Sequence, residues 1–394
     1  MSSSAQISRH NRRVTNSPES LGNFAGRSSS KFRRFPEDVL PMHVAEMDFE
    51  VASEIRDRLA QMVANSDLGY LGPLPELTEA FSGFAMRRWG WDTASATLKL
   101  ATDVGVAAVE LLRHLAKPGD RVLISTPVYS AFMKWLDEAK LIAHDAPLQL
   151  SGDRWQLDID GIEQAFADGV KLYLLCSPQN PVGTVHTRQE LSEVARLAKK
   201  YDVIVIADEI HAPLSWAPFT PYLSLGEDAR ATGITITSSS KAWNTAGLKA
   251  AFVMTQSDQM RQKLAGLPEA MNWRASLLGA FSMVTAFESG ERWLDQTVET
   301  IQERLALLRS ELAAKLPKAK MFAMESTYLA WIDLSAYGME KPQQQLLSDG
   351  KVALVAGEDH DPAGGYGQFV RFNFATSETR LKEAVSRMAK VLED

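Results

Sequence analysis

The sequence predicts an α/β fold: a mostly parallel sheet covered by helices, joined to a smaller α+β unit. Three observations predict it. Short runs rich in β-branched residues alternate with helical patterns through the middle of the chain. The runs are continuously apolar, as in Val203-Ile204-Val205-Ile206-Ala207, which marks strands buried on both faces. After Trp273 the pattern changes to a long helical stretch followed by short strands.

The elements follow in chain order. The first 36 residues hold seven Lys/Arg and one acidic residue and are rich in Ser. They lack the apolar run of a secretory signal. Two readings stand: a transit peptide, or a poorly ordered start leading into an arm that docks on a neighbour. Gly69-Tyr70-Leu71-Gly72-Pro73 reads as a turn ahead of the sheet. Strands are expected at 98–102, 121–125, 171–176, 203–207, 233–237 and 250–254, with helical patterns between them, such as 104–115 and 188–201. A helical stretch covers 276–315, with Gly290 as its break point. Gly364-Gly365-Tyr366-Gly367 reads as a mobile loop before a strand at 369–374, and a final helix is expected at 377–392. At about 100–200 residues per domain, two units fit. They are expected as a large domain at 49–290 and a small one at 291–394, residues 1–48 forming an arm and part of the small unit.

Charge and composition exclude some functions. Lys and Arg number 42 against 49 Asp and Glu, a net charge of −7, so no global basic field favours nucleic acid or an anionic membrane. No apolar stretch reaches the roughly 20 residues needed to cross a bilayer. The single cysteine, Cys176, excludes an internal disulfide and fits a reducing compartment, the cytoplasm. At the end of an apolar run it reads as a small buried residue, not a nucleophile.

The chemistry centres on Ser238-Ser239-Ser240-Lys241-Ala242-Trp243-Asn244-Thr245-Ala246-Gly247-Leu248-Lys249. A lysine just past hydroxyls that close a strand suits an aldehyde cofactor carrying a phosphate. Lys241 can form an imine, while the serines and Lys249 hold the phosphate. Pyridoxal 5′-phosphate (PLP) fits that description. A serine-rich turn followed by a solvated lysine serves the same residues. Other polar residues lie at expected strand ends, where open α/β sheets bind ligands. Asp208 can bond a protonated pyridine nitrogen or cap a helix. Asn180, in Ser177-Pro178-Gln179-Asn180-Pro181-Val182-Gly183, can bond a cofactor phenolate and a substrate carboxylate or simply turn the chain. Gly105 opens a helix whose first amides suit a phosphate. Tyr129 can stack on a cofactor ring or fill the core. Arg371, inside an apolar strand, needs an anion, either a substrate carboxylate or an internal salt bridge. Asn180-Pro181 and Thr126-Pro127 fall in strand-end loops and are candidates for cis peptides, since the X–Pro cis cost of about 0.5–1 kcal/mol lets local packing select that form.

The order of these features resembles the fold-type I PLP enzymes, the aspartate aminotransferase superfamily of classes I and II. Within it the chain is similar to the MalY/PatB subgroup of cystathionine β-lyases (C–S lyases). The residues that carry the resemblance are Leu40-Pro41-Met42-His43-Val44-Ala45-Glu46-Met47-Asp48-Phe49, Asp208-Glu209-Ile210-His211-Ala212-Pro213-Leu214, Ser240-Lys241-Ala242-Trp243-Asn244 and Arg371-Phe372-Asn373-Phe374-Ala375. It implies Lys241 as the Schiff-base lysine, Asp208 as partner of the pyridine nitrogen and Asn180 beside the phenolate. Gly105, Val106, Ser238, Ser240 and Lys249 fall on phosphate-binding positions, and Arg371 on the α-carboxylate clamp. Tyr70 matches a tyrosine that reaches the phosphate of the neighbouring subunit, which implies a homodimer with shared sites. His211 stands where the wider superfamily has tyrosine, as is typical of the C–S lyases. Lys249 replaces a more usual arginine, and His43 stands where the subgroup has Trp.

Both β-elimination and transamination of a small amino-acid substrate use this residue set, with Lys241 as base at Cα. The subgroup resemblance favours elimination: a thiol, pyruvate and ammonia from L-cystathionine or related S-substituted cysteines. An aminotransferase is the alternative. A third reading, a regulator that keeps the fold and contacts nucleic acid through its basic N-terminal segment, is opposed by the full catalytic set.

Overall fold

The computed structural model describes residues 26–393. Residues 1–25, most of the basic segment read as a transit peptide or docking arm, lie outside the described residues.

Besides a small hairpin, Gln149–Ser151 with Arg154–Gln156, the middle of the chain forms seven strands: β1 (Thr97–Ala101), β2 (Arg121–Ile124), β3 (Ile142–Asp145), β4 (Leu172–Cys176), β5 (Ile204–Asp208), β6 (Gly233–Thr237) and β7 (Ala251–Thr255). They make one sheet in the order β1-β7-β6-β5-β4-β2-β3. Only β7 runs against its neighbours. Strand side chains alternate between two cores. Tyr173, Leu175, Val205 and Ala207 join one; Leu172, Leu174, Ile204 and Ile206 face the other. Both faces are therefore covered, which is why the runs read as continuously apolar. Helices Val104–Leu115 and Ala131–Ala139 cover one face, and Ile159–Ala167, Arg188–Tyr201 and Leu277–Ser289 the other.

Helix ends follow local chemistry. Thr187 and Glu190 form a reciprocal capping box that starts Arg188–Tyr201. Gly290 separates Leu277–Ser289 from Glu291–Lys315. A Cβ there would come within 2.5 Å of the Trp243 indole nitrogen, which donates to the Gly290 carbonyl at 3.0 Å. Glycine is thus required where the loop that carries Lys241 packs on the helix pair.

A second, antiparallel sheet comprises β8 (Lys320–Met321), β9 (Leu329–Asp333), β10 (Val355–Ala356) and β11 (Phe369–Asn373), in the order β8-β9-β11-β10. Leu40–Pro41 pairs with Val352–Ala353, so the segment ahead of the large sheet joins the C-terminal part. That segment is pinned by a buried ion pair. Lys31 Nζ lies 2.7 Å from Asp48 Oδ1, and Arg380 and the Thr376 hydroxyl hold Oδ2. Burial alone would raise the Asp48 pKa; Lys31, Thr376 and Arg380 together keep it below the usual carboxylate range.

Every strand expected from the sequence is present, with ends moved by at most one residue. β3 was not expected, because Ile-Ala-His-Asp is neither a β-branched run nor an alternation. The loop Gly364-Gly365-Tyr366-Gly367 is anchored by Tyr366, whose ring packs 5.8 Å from Trp331 and 5.3 Å from Phe369. No helix among the described residues is long and apolar enough to cross a membrane.

Candidate active site

Parallel strands send their carboxyl ends to one edge of the sheet. The loops leaving β2, β4, β5 and β6 meet there around a cavity of about 320 Å³. Tyr129, Asn180, Asp208, His211, Ser240, Lys241, Lys249 and Gly105 line it together. The strand order brings together residues as far apart in sequence as Gly105 and Lys249.

Lys241 sits in the loop after β6 and is half-buried. Its Nζ donates to the Ala45 carbonyl at 3.1 Å. Burial of the ammonium, reinforced by Arg371, pulls its pKa down to about 8, while Asp208 pulls the other way. Asp208 closes β5 and is buried. Its Oδ1 accepts the Ile210 N–H at 3.1 Å. Burial pushes its pKa up to about 7, against that N–H and Lys241. His211 is buried, with no partner for Nδ1. Burial and the nearby cations Lys241 and Arg371 push it down to about 3, so the imidazole is neutral. Tyr129 is half-buried against Trp135, and burial raises its phenol.

Arg371, on β11, stands in register between Trp331 and Val355. It is 5% exposed. Its guanidinium donates to Asn180 Oδ1 at 3.3 Å and to the His43 carbonyl at 3.2 Å, and its Nε has no partner. It forms no salt bridge among the described residues. The internal ion pair is therefore not found among the described residues. A buried guanidinium with an unpartnered Nε can take up an anion, and its bond to Asn180 ties it to a residue that lines the cavity.

The residues expected at a phosphate are divided. Helix Val104–Leu115 begins at the cavity, with Gly105 packed under Trp135. Asp103 caps that helix. Its Oδ1 accepts the Val106 N–H at 2.8 Å, and its Oδ2 accepts from Lys249 Nζ at 2.8 Å. Ser240 lines the cavity, whereas the Ser238 hydroxyl points into the turn and donates to the Ala250 carbonyl at 2.7 Å. Tyr70 lies outside the cavity, 93% exposed. The peptides Thr126-Pro127 and Asn180-Pro181 are cis, as expected, and so is Ser177-Pro178.

Sequence reasoning missed Asp103, Trp135 and the backbone of Val44–Glu46. Trp135 carried a usable signal, an aromatic one turn into the helix after Tyr129. The Ala45 carbonyl carried none.

One amine of lowered pKa, one buried carboxyl with a single local donor, a neutral imidazole and the Lys249 ammonium surround a cavity of small-molecule size. That donor set fits PLP. The amine is free to link to an aldehyde, Asp208 lacks the cationic partner its burial calls for, and Lys249 with the helix start suits a phosphate.

A family model for class I and II aminotransferases matches residues 37–388. The chain is 34% identical to the cystathionine beta-lyase of Corynebacterium glutamicum, over 94% of this chain and 99% of that one. It is 30% identical to the cystathionine beta-lyase PatB of Bacillus subtilis, over 90% and 93% of the two chains. Among solved structures, cystalysin from Treponema denticola, which contains a pyridoxal 5′-phosphate cofactor, superposes with a TM-score of 0.86. It is 26% identical, over 99% of this chain and 98% of that one.

Proposed function

This chain belongs to the class I and II aminotransferase family, and we propose that it is a PLP-dependent carbon–sulfur β-lyase. Its substrates are L-cystathionine or related S-substituted cysteines. The net reaction takes up water, breaks the Cβ–S bond and yields a thiol, pyruvate and ammonia. The observation that carries the reading is the meeting of Lys241, Asp208 and Asn180 at one cavity, with the buried Arg371 bonded to Asn180 behind its wall. Relatives named cystathionine beta-lyase, at 30% identity or more over nine-tenths of the chain, support elimination over transamination.

The residues divide the work. Lys241 would link the cofactor, Asp208 would face its ring nitrogen, and Tyr129 would pack on the ring. Asn180 and His211 would border its phenolate side. Gly105, Val106, Ser240 and Lys249 would hold the phosphate, completed by Tyr70 from a second subunit of a homodimer, while the Ser238 hydroxyl stays on the Ala250 carbonyl. When bound, PLP supplies an electron sink for the pair left at the substrate Cα. Arg371, with Asn180 bracing its fork, takes the substrate α-carboxylate and fixes the amino acid's orientation. The Lys241 amine, its pKa lowered to about 8, is neutral in a useful fraction near pH 7–8 and takes the Cα proton at Nζ. A cationic partner drives the Asp208 carboxyl back to the anion, so the pair holds its charges together in a site that burial would otherwise neutralise. His211 stays neutral and adds no cation beside Arg371 and Lys241.

Incubation of the PLP-loaded protein with L-cystathionine tests the reading. Pyruvate, ammonia and homocysteine released without an added keto acid support a lyase. Turnover that requires a 2-keto acid acceptor makes the protein an aminotransferase instead.

A further inference from the structure

The two sequence motifs around Ala45 and Lys241 touch, and the contact has a definite form. The segment His43–Met47 puts Ala45 on the cavity lining and forms a strap whose carbonyls are held by side chains. The His43 carbonyl accepts from Arg371 at 3.2 Å. Those of Val44 and Glu46 accept from Asn373 Nδ2 at 2.6 and 2.8 Å. Glu46 also takes Lys31 Nζ at 2.8 Å. The Ala45 carbonyl accepts from both Lys241 Nζ and the Tyr328 hydroxyl, each at 3.1 Å. Met47 is gripped at both ends of its peptide unit. Its N–H donates to Asn244 Oδ1 and its carbonyl accepts from Asn244 Nδ2, both at 2.8 Å.

Asn244 lies three residues after Lys241 and adopts a left-handed backbone, φ +57°, a conformation asparagine tolerates better than most residues. Its amide is therefore fixed relative to the lysine, and through Met47 it fixes the strap two residues from Ala45. We infer that Asn244 is a positioning residue: by clamping Met47 it holds the Ala45 carbonyl against the Lys241 amine and so sets the protonation of that amine. The inference rests on the reading of Lys241 as the site's base for its functional meaning, but not for its geometry.

The charged and titratable groups that bear on the amine come from every side. Arg371 on β11 and Lys249 beyond the loop favour the neutral amine; Asp208 on β5 and Glu46 on the strap favour the ammonium. The neutral His211 and Tyr328 lie nearby. Against that background the Ala45 carbonyl is a neutral acceptor in hydrogen-bond reach of Nζ, and a hydrogen bond to the ammonium favours the charged form. Loosening the strap removes it, so the amine should lose its proton at lower pH.

The test uses the cofactor-free protein, where the amine is free. Labelling of Lys241 with trace acetic anhydride across pH, read by mass spectrometry, gives its titration midpoint. Asn244→Gly removes the clamp without straining a left-handed residue. Its Lys241 midpoint should fall by roughly half a unit to one unit, the size of a lost hydrogen bond to a charged group partly replaced by water. A folded Asn244→Gly protein whose Lys241 titrates with the wild type overturns the inference. Tyr328→Phe leaves the clamp intact and removes the rival donor to the Ala45 carbonyl. Its midpoint should rise, and an unmoved or lower midpoint also counts against the inference. Should Asn244→Gly fail to fold, Asn244→Ala, which also lacks the amide, is read in its place against the same wild-type midpoint. Neither readout needs turnover, so a failure here leaves the lyase reading to its own assay.

Discussion

Two acids next to each other on one strand end show how environment assigns work to single residues. Asp208 and Glu209 are both buried, and burial raises both, to about 7 and about 8. Asp208 lines the cavity, where a cation can take up its charge; Glu209 faces away and accepts the Tyr222 N–H at 2.7 Å. Asp208→Ala should therefore keep the phosphate contacts and most of the cofactor while losing activity by orders of magnitude, measured as kcat against bound PLP. Near-normal turnover would remove Asp208 from the chemistry. Lys241→Ala should lose both turnover and the visible absorbance of the lysine-linked cofactor. A borohydride-reducible link surviving in that variant would place the linkage elsewhere. Glu209 makes a stability prediction. A carboxyl whose folded pKa lies above its unfolded value binds more protons folded than unfolded across the gap. Stability then falls as pH rises from about 4.5 to about 8, by at most about 1.4 kcal/mol per pH unit. Glu209→Gln keeps an acceptor for the Tyr222 N–H and should flatten the decline in melting temperature between pH 5 and 8. An unchanged slope would mean that another group carries it.

At the scale of elements, the first turn of Val104–Leu115 holds a conflict that invites measurement. Asp103 caps the helix and binds Lys249, so its carboxylate takes up donors that a phosphate would use. Asparagine caps helices about as well as aspartate. Asp103→Asn should keep the helix, free Lys249 of a competing anion, and tighten PLP binding several-fold in a titration of the cofactor-free protein. Weaker binding would show that Asp103 organises Lys249 instead of competing for it. This cap also marks where sequence reading stopped. Strands buried on both faces announce themselves through runs such as Val203–Ala207, and residues at their carboxyl ends can be named from the same runs. Arg371 was legible as a charge inside an apolar strand. The division between Ser240, which faces the cavity, and Ser238, which faces the turn, depends on loop geometry that both serines share in sequence. The strap was less legible still, because a main-chain carbonyl has no residue type and Asn244 meets Met47 across 197 residues.

At the scale of the whole molecule, the two sheets share one site but not one source of rigidity. The large sheet places Lys241, Asp208 and Asn180 on consecutive parallel strand ends, while Arg371 comes from the small sheet. The segment from Lys31 to Asp48 ties the two together through a buried ion pair and the strap. One assigned residue is left out of this arrangement. Tyr70 is 93% exposed and Leu68 57% exposed, in a Gly/Pro-rich turn ahead of the large sheet. Trp273 is 57% exposed and Val106, on the first turn of helix Val104–Leu115, 37% exposed. In a homodimer Tyr70 would reach the second subunit's phosphate site. Sedimentation equilibrium should then give about twice the mass of one chain. Tyr70→Phe should leave melting temperature and dimer mass unchanged while raising the PLP dissociation constant several-fold, because one hydrogen bond to a dianion is lost. Mixed Tyr70→Phe and Lys241→Ala subunits should form heterodimers in which one site carries both defects and the other neither. Activity above that of the Tyr70→Phe homodimers present would support sharing. A fully active monomer would overturn the shared site outright, since each chain would then complete its own phosphate cradle without Tyr70.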